Sequence, residues 1–351
     1  MKIGILTFHA AYNYGAVLQC YALKEYLSSL GHEVSIVDYR QKYLLTCYQC
    51  FNIRTIFKSV LDKTFIKQLG IMLTKKRRGK QFDKFVKNNF NLSDLFLLKS
   101  SAFDYVIIGS DQVWNTRLTN GYDRYYWGQF VHTNKTKIIS YAASLEQMWS
   151  EKEDNKVKRL LSSFYMISTR EEIISQRIRT LLPDKKVVTC VDPTLLLNQS
   201  NWEKIAKKPN IIDKYVLYYQ VKPSVIGMKI AKDISDRKKC KLLILSADAN
   251  LESSPEIVYS SPEDFLGLIK YSECVISSSF HGTVFSLIFH KPFLSIANGK
   301  KDYRVKNLLT SLDMMKHYVD ELNSFDMSCN LDLLKFQKYI EPSIEYLNLI
   351  K

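Results

Sequence analysis

Short apolar runs alternate along the chain with longer segments whose apolar positions repeat at helical spacing. The first forty residues set the pattern: residues 3–8 predict a buried strand, residues 15–30 an amphipathic helix that ends at Gly31, and residues 34–37 a second strand. A strand, a helix and a strand in this order predict a right-handed crossover in a parallel sheet.

The same alternation continues to the end of the chain. Residues 42–100 predict helical and basic structure, and Ser261-Pro262 before two acidic residues predicts a helix start. Further strands are predicted at residues 105–108, 138–141, 165–168, 187–191, 215–221, 241–245, 274–277 and 293–296. The pattern therefore predicts an α/β fold with two parallel-sheet domains, residues 1–200 and 201–351, and a cleft between them.

The composition is ordinary for a globular protein, but the net charge is not. The 351 residues are 46% hydrophobic, which is ordinary for a globular protein, but the formal net charge is +15. Basic residues cluster at positions 75–80 and 237–241. They suit an anionic substrate or an anionic membrane face, or they form a solvated basic surface. No nucleic-acid-binding signature accompanies them, so we expect no nucleic-acid partner.

Cysteine usage and hydropathy indicate a cytoplasmic protein. Seven scattered cysteines do not resemble a disulfide framework, and the lone pair Cys47 and Cys50 lacks the partners of a zinc site. No apolar run reaches the roughly 18 residues that a membrane span needs, and the apolar run at the N-terminus is too short for a signal peptide.

Polar side chains gather just after predicted strands, where open α/β sheets bind ligands. After the first strand, Asn13, Tyr14 and Gly15 precede a helix whose N-terminus can hold an anion. Asn13 could equally be only a helix cap, and Gly15 only a turn residue.

A second cluster follows the strand at residues 105–108. Asp111 and Asn115 can bind a sugar hydroxyl, Trp114 can offer a flat apolar face, and Ser110 is a further candidate for substrate binding. The alternative is that Asp111 caps the next helix and Trp114 belongs to the core.

Two further clusters follow strands later in the chain. Arg170 and Glu171 form either a carboxylate or phosphate site or an exposed ion pair. The sharpest cluster comes after residues 274–277, where hydroxyls and a helix N-terminus predict an anion site and His281 can move a proton near neutral pH. Its members are Ser278, Ser279, His281, Gly282 and Thr283.

Several common motifs are missing. The sequence has no Walker A loop, no G-x-G-x-x-G, no H-E-x-x-H and no G-x-S-x-G elbow. A nucleotide-hydrolysing enzyme or a standard hydrolase is therefore unsupported.

The clusters, in their order and spacing, resemble the polysaccharide pyruvyl transferase family across nearly the whole chain. Other landmarks of the resemblance are residues 140–144, Asp192-Pro193-Thr194 and Arg304. The family is similar in fold to GT-B glycosyltransferases, which implies two Rossmann-like domains. Its characterised members transfer pyruvate from phosphoenolpyruvate to two hydroxyls of one sugar, forming a ketal.

The resemblance also implies roles for particular residues. Many members carry Arg-Leu-His-Gly where this chain has Ser279-Phe280-His281-Gly282, so His281 and Gly282 match and the arginine does not. Arg170 or Arg304 would then neutralise the donor, assisted by the hydroxyls of Ser278 and Ser279.

The expected mechanism uses His281 for proton transfer, Asp111 to orient or deprotonate the acceptor hydroxyl, and Asn115 to fix the sugar. The donor would lie on the C-terminal side and the acceptor on the N-terminal side, with no metal and no cofactor. The acceptor would be a sugar or a lipid-linked oligosaccharide, and residues 75–78 would add weak contact with the anionic inner membrane.

Two other functions remain open. The fold also suits a GT-B glycosyltransferase that uses a nucleotide sugar, since fold does not fix function. A non-catalytic glycan-binding relative is favoured by one feature, the serine at position 279.

Overall fold

The computed structural model describes residues 1–46, 65–130, 135–145, 148–297, 299, 302–321, 327–328 and 330–351. The pair Cys47 and Cys50 lies outside these ranges. Within them, no helix combines the length and the apolar character that crossing a membrane requires.

The first sheet has five strands in the order β3-β2-β1-β4-β5, and every neighbouring pair is parallel. Its strands are β1 (Lys2–Leu6), β2 (Glu33–Val37), β3 (Leu92–Ser93), β4 (Tyr105–Ile108) and β5 (Lys137–Ser140). β4 is buried along its whole length, as expected for a parallel strand covered on both faces. The four longer strands confirm the predicted apolar runs, whereas β3 falls inside the stretch predicted as helical.

A short parallel pair, β6 (Ile167–Thr169) and β7 (Val187–Thr189), extends this sheet. Isolated bridges from Ile139 to Met166 and from Ala143 to Thr169 connect it to β5. Because these strands are parallel, the carboxyl end of β6, with Arg170 and Glu171 just after it, lies on the same side of the sheet as the carboxyl end of β4.

The second sheet is also parallel throughout, in the order β12-β11-β10-β8-β9. Its strands are β8 (Tyr215–Gln220), β9 (Lys241–Ser246), β10 (Cys274–Ser277), β11 (Phe293–Ile296) and β12 (Tyr318–Val319). The first four confirm the predicted strands. Two parallel sheets with helical crossovers are the Rossmann-like, GT-B-like architecture that the sequence predicted.

The helices begin where capping residues allow. Asn13 accepts a hydrogen bond from the Ala16 N–H at 3.2 Å and starts α1, and Ser261 and Asp264 form a capping box at the predicted helix start. The helices are α1 (Tyr14–Ser29), α2 (Lys42–Thr46), α3 (Phe65–Asn89), α4 (Asp154–Leu161), α5 (Glu172–Leu181), α6 (Gln199–Glu203), α7 (Val225–Lys238), α8 (Pro262–Lys270), α9 (Phe280–Ile288), α10 (Tyr303–Ser311) and α11 (Leu333–Leu347).

The two sheets are joined through a shared apolar core. The Tyr14 ring at the start of α1 stacks on Phe265 of α8 with centroids 4.6 Å apart, and its hydroxyl donates to the Ser260 carbonyl at 2.9 Å. Such close packing holds the carboxyl ends of the two sheets against each other, which is where the candidate site lies.

The last helix returns to the first sheet. In α11, the Tyr346 hydroxyl donates to the Ser140 carbonyl at 2.8 Å, and the Ser343 hydroxyl accepts from the Val191 N–H at 2.8 Å. The predicted boundary near residue 200 stays a prediction, and the final helix of the predicted second domain packs on the first.

Candidate functional site

A cavity of about 190 Å³ lies between the carboxyl ends of the two sheets. The loops after β1, β4 and β10 contribute to its wall, and α10 closes one side. We call it the cleft cavity, and its polar lining includes Asn13, Asp111, Ser278, Ser279, His281 and Arg304. Six of the predicted site residues, drawn from distant parts of the chain, therefore meet at one place.

His281 is held by a buried carboxylate from the other side of the cleft. Its Nε2 lies 3.3 Å from Oδ2 of Asp192, and the Nη2 of Arg170 lies 2.8 Å from the same oxygen. Arg170 Nη2 also donates to the Ser110 hydroxyl. Asp192 thus contacts both the imidazole of His281 and the guanidinium of Arg170, two residues that belong to separate clusters in the sequence.

The charge of Asp192 follows from its partners. Its side chain is 0% exposed, and burial alone would raise the pKa of the carboxyl group. The positive charge of Arg170 and the contact with His281 outweigh burial and lower the pKa below its ordinary value. The carboxylate is therefore ionised at neutral pH, and the N–H group at Nε2 of His281 donates a hydrogen bond to it.

The other imidazole nitrogen packs against the first turn of α1. A Cβ atom built on Gly15 would lie 2.0 Å from Nδ1 of His281, which is closer than real side chains approach. The missing side chain at position 15 is thus what allows the imidazole to sit beside the start of α1.

Two arginines flank the ring of Phe280. The guanidinium carbons of Arg170 and Arg304 lie 5.8 Å and 5.6 Å from the ring centroid. Burial and the charge of Arg170 lower the pKa of Arg304, against the opposing carboxylates. Arg304 faces the cleft cavity, where a negatively charged ligand would relieve this repulsion.

Arg170 occupies a deeper position than Arg304. Its side chain is 4% exposed, and it does not line the cleft cavity. Its Nε and Nη1 are buried and have no hydrogen-bond partner among the described residues. The structure therefore puts Arg304 in the wall of the cleft cavity and Arg170 behind it.

Glu171 is buried beneath the arginines. The Ser144 hydroxyl donates to its Oε1 at 2.5 Å, while burial raises the pKa of the carboxyl group against the lowering effect of Ser144 and of both arginines. Glu171 is therefore buried next to the cleft cavity and does not line it.

The serines after β10 organise the start of α9. The Ser279 hydroxyl accepts from the Gly282 N–H at 3.4 Å as the helix cap, and the Ser278 hydroxyl accepts from the Val221 N–H at 3.0 Å. A Cβ on Gly282 would lie 2.1 Å from the Ser277 hydroxyl oxygen. Position 282 therefore needs glycine for packing, independently of any ligand.

Thr283 lies outside the cleft cavity. Its hydroxyl donates to the Ser279 carbonyl at 3.1 Å and contacts the Ser295 hydroxyl at 2.7 Å. The Tyr14 side chain likewise packs in the core between the two sheets, against Phe265 and the Ser260 carbonyl. Both were predicted as ligand contacts, and the structure places neither at the cleft.

The cluster after β4 divides between two places. Asp111, at a backbone φ of 71°, turns into the cleft cavity, and Ser110 holds Arg170. Trp114 is fully buried, stacks on Trp127 at 5.2 Å and donates from Nε1 to the Tyr126 carbonyl. With Asn115, it borders a different cavity of about 340 Å³. The structure therefore does not bring Trp114 and Asn115 to the cleft cavity.

Sequence reasoning assigned no role to Asp192, although a signal for one was present. Asp192 lies three residues after the end of β7 and precedes Pro193, and its Oδ1 accepts from the Thr194 N–H at 2.9 Å. This turn fixes the carboxylate that holds His281. An acidic residue at a strand end beside proline was the available clue.

The two Rossmann-like sheets and the polar cavity between their carboxyl ends define a two-domain α/β protein of GT-B-like architecture. Residues 13–300 match the model of one family, described as polysaccharide pyruvyl transferase. The chain belongs to this family of transferase enzymes, as the resemblance in the sequence predicted. No curated protein matches the sequence significantly.

Several solved structures are similar at low identity. An E. coli heptosyltransferase with ADP is 10% identical over 85% of this chain and 88% of its own, with a TM-score of 0.39. A UDP-N-acetylglucosamine 2-epimerase from Rickettsia bellii is 11% identical over 99% and 93%, with a TM-score of 0.45. A Streptomyces glycosyltransferase is 10% identical over 100% and 95%, with a TM-score of 0.37.

Proposed function

We propose that the protein transfers a pyruvyl group from phosphoenolpyruvate to a sugar of a surface polysaccharide or of its lipid-linked repeat unit. The observation that supports this most is the meeting of Arg304, Asp111 and the Asp192-held His281 around one small cavity. The three groups supply an anion site, a base and a proton carrier, which are the needs of ketal formation.

The donor is expected to lie against Arg304 and the first turn of α9. A guanidinium can hold a carboxylate or a phosphate through two parallel hydrogen bonds, and the free N–H groups of a helix start add positive potential. The Ser279 hydroxyl lines the same wall.

The proposed reaction proceeds through one tetrahedral adduct. A proton adds to the methylene carbon of phosphoenolpyruvate while an acceptor hydroxyl oxygen bonds to C2 and gives its own proton to a base. The C2–phosphate oxygen bond then breaks and phosphate leaves. A second hydroxyl of the same sugar bonds to C2, loses its proton and closes the ketal.

Side chains of the cleft cavity can serve each step. His281 lines the cleft cavity, and the Asp192 carboxylate stabilises its charged imidazole, so His281 is the candidate carrier of the proton to the methylene carbon. Asp111 is the candidate base for the acceptor hydroxyl. No metal and no cofactor other than the donor is required.

The experiment is a turnover assay with phosphoenolpyruvate and a lipid-linked oligosaccharide. We expect equal amounts of phosphate and of a product whose mass has grown by pyruvic acid less one water. A nucleotide sugar offered in place of phosphoenolpyruvate should yield nothing. Glycosyl transfer from the nucleotide sugar, or no product from either donor, would contradict the proposal.

We also propose peripheral attachment to the anionic inner face of the cytoplasmic membrane through exposed basic residues of α3. Lys76, Arg77 and Lys80 are exposed, whereas Arg78 is buried and cannot contribute. Each exposed cation near an anionic surface is worth about 1 kcal/mol. Sedimentation with vesicles should therefore increase with anionic lipid content, and equal sedimentation with neutral vesicles would rule the attachment out.

A further inference from the structure

A second cavity, of about 300 Å³, lies beside the cleft cavity. Helix α3 supplies Lys75 and Arg78 to its wall, the loop before α1 supplies Tyr12, and the loop after β9 supplies Asp248. We call it the basic cavity. Like the cleft cavity, it is lined by residues from the helices and loops around both sheets.

Arg78 is an unusual residue to find buried. Its relative exposure is 5%, and within the described ranges it forms no ion pair with a carboxylate. Its Nη2 donates to the Tyr14 hydroxyl at 3.0 Å, and its Nε is buried without a partner in the described part of the chain. Burying a guanidinium whose N–H groups lack acceptors costs free energy, unless a bound anion accepts their hydrogen bonds.

The guanidinium is also fixed in place. Its central carbon lies 5.1 Å from the centroid of the Tyr14 ring, which supports it from one face. The Tyr14 hydroxyl is held in turn by the Ser260 carbonyl at 2.9 Å. A cation held in this way is oriented before any ligand arrives, which reduces the entropy cost of binding.

Lys75 adds a second cation on the same face of α3, three residues before Arg78. The carboxylate of Asp248 also borders the cavity, but it is exposed and accepts hydrogen bonds from the N–H and the side-chain amide of Asn250 at 2.9 Å and 2.7 Å. Its charge is therefore screened by solvent, and the buried end of the cavity stays positive.

The basic cavity adjoins the cleft cavity. Val221 lines both, and the consecutive residues Tyr12 and Asn13 line one cavity each. A ligand whose sugar occupies the cleft can therefore extend a linked anionic group to Arg78 and Lys75.

We propose that the basic cavity binds the diphosphate group through which the acceptor sugar is attached to its carrier. The inference rests on the proposed function, since it places the acceptor sugar in the cleft. The fixed guanidinium of Arg78 and the nearby ammonium of Lys75 match the two phosphoryl groups, and a diphosphate can follow either a lipid or a nucleoside.

The test is calorimetric titration of inorganic pyrophosphate into the wild-type protein and three single variants of α3. Lys75→Gln and Arg78→Gln should each raise the dissociation constant about tenfold or more, the effect of losing one charge-assisted contact. Lys76→Gln, an exposed neighbour outside both cavities, should leave it unchanged. Lys75 is only partly buried, so its variant carries the test even where Arg78→Gln does not fold.

A fourth variant, Arg304→Gln, separates the two cavities. The inference requires it to retain pyrophosphate affinity, whereas loss of affinity in Arg304→Gln with none in Lys75→Gln would overturn the inference. No binding to the wild type would overturn it as well. A phosphoenolpyruvate titration run in parallel tests the proposed function by itself, because Lys75→Gln should not affect it.

The carrier is identified with two larger probes, a nucleoside diphosphate sugar in solution and a lipid diphosphate sugar in micelles. The true carrier class is the one whose affinity falls about tenfold in Lys75→Gln. If neither affinity falls, the diphosphate does not bind in the basic cavity and the inference fails.

Discussion

Gly15 and His281 meet across the cleft so closely that a Cβ atom on the glycine would lie 2.0 Å from Nδ1 of the histidine. The glycine opens the helix after the first strand of one sheet, and the histidine opens the helix after the third strand of the other. On its far side the imidazole contacts Asp192 at 3.3 Å. The ring, which belongs to the second half of the chain, is therefore clamped between two residues of the first half, which sets the direction in which its nitrogens point.

Gly15→Ala should disturb this clamp. The added methyl group must push the imidazole away, because overpacking a buried contact typically costs 1–3 kcal/mol. We expect a lower melting temperature together with a lower kcat. The matched control is Gly70→Ala on α3, where a Cβ meets nothing within 4 Å and stability should rise slightly. Unaltered stability and activity in Gly15→Ala would contradict the described contact.

Replacing His281 should slow the chemical step. His281→Ala removes the proposed proton carrier, and the loss should be about 10²–10⁴-fold in kcat, with a smaller effect on the KM for phosphoenolpyruvate. His290→Asn, at an exposed position just after the same helix, is the control and should keep full activity. Steady-state kinetics with saturating acceptor make the comparison, and wild-type kcat in His281→Ala would exclude the proton role.

Arg304 should matter most for donor binding. Arg304→Gln removes the cation that lines the cleft cavity, so the KM for phosphoenolpyruvate should rise about 10–100-fold, the range for one lost charge-assisted hydrogen-bond pair. Arg237→Gln, on the exposed surface of α7, should change nothing. A KM that rises in Arg170→Lys and not in Arg304→Gln would move the donor to the deeper arginine.

Asp192→Asn should destabilise the protein at neutral pH. The variant leaves the buried Arg170 without its carboxylate, a change that typically costs about 3–5 kcal/mol of unfolding free energy. The lowered pKa of Asp192 also fixes the sign of its pH dependence: its contribution is complete above the ordinary carboxyl pKa of about 4 and is lost as pH falls below it.

Urea unfolding at a series of pH values tests both parts of this prediction. The difference between wild type and Asp192→Asn should be largest near neutrality and should shrink in acid below about pH 4. Asp236→Asn, on an exposed part of α7, should follow the wild type throughout. A difference that stays constant down to acid pH would show that the ionised carboxylate is not the stabilising group.

Most of the fold could be predicted from the chain because parallel strands buried on both faces leave unmistakable apolar runs. β4 and β10 are examples, with every residue buried. The edge strands β3 and β12 have two residues each, too few for any periodicity to register. The return of α11 to the first sheet depends on contacts such as Tyr346 with Ser140, which are 206 residues apart.

The site was predictable to a similar extent. Polar residues at strand ends identified the neighbourhood of His281 and Asp111, because parallel strands bring their carboxyl ends to one edge. The partnership of Asp192 with His281 joins residues 89 positions apart, and no local pattern encodes it. Trp114 could face a sugar or the core on sequence grounds, and only packing placed it against Trp127.

Donor binding at Arg304 is tested most directly by calorimetric titration of phosphoenolpyruvate into the wild-type protein, His281→Ala and Arg304→Gln, with and without an acceptor sugar. We expect saturable binding to the wild type and to His281→Ala, and at least tenfold weaker binding to Arg304→Gln. Absence of binding to the wild type under both conditions, or equal affinity in Arg304→Gln, would contradict this expectation.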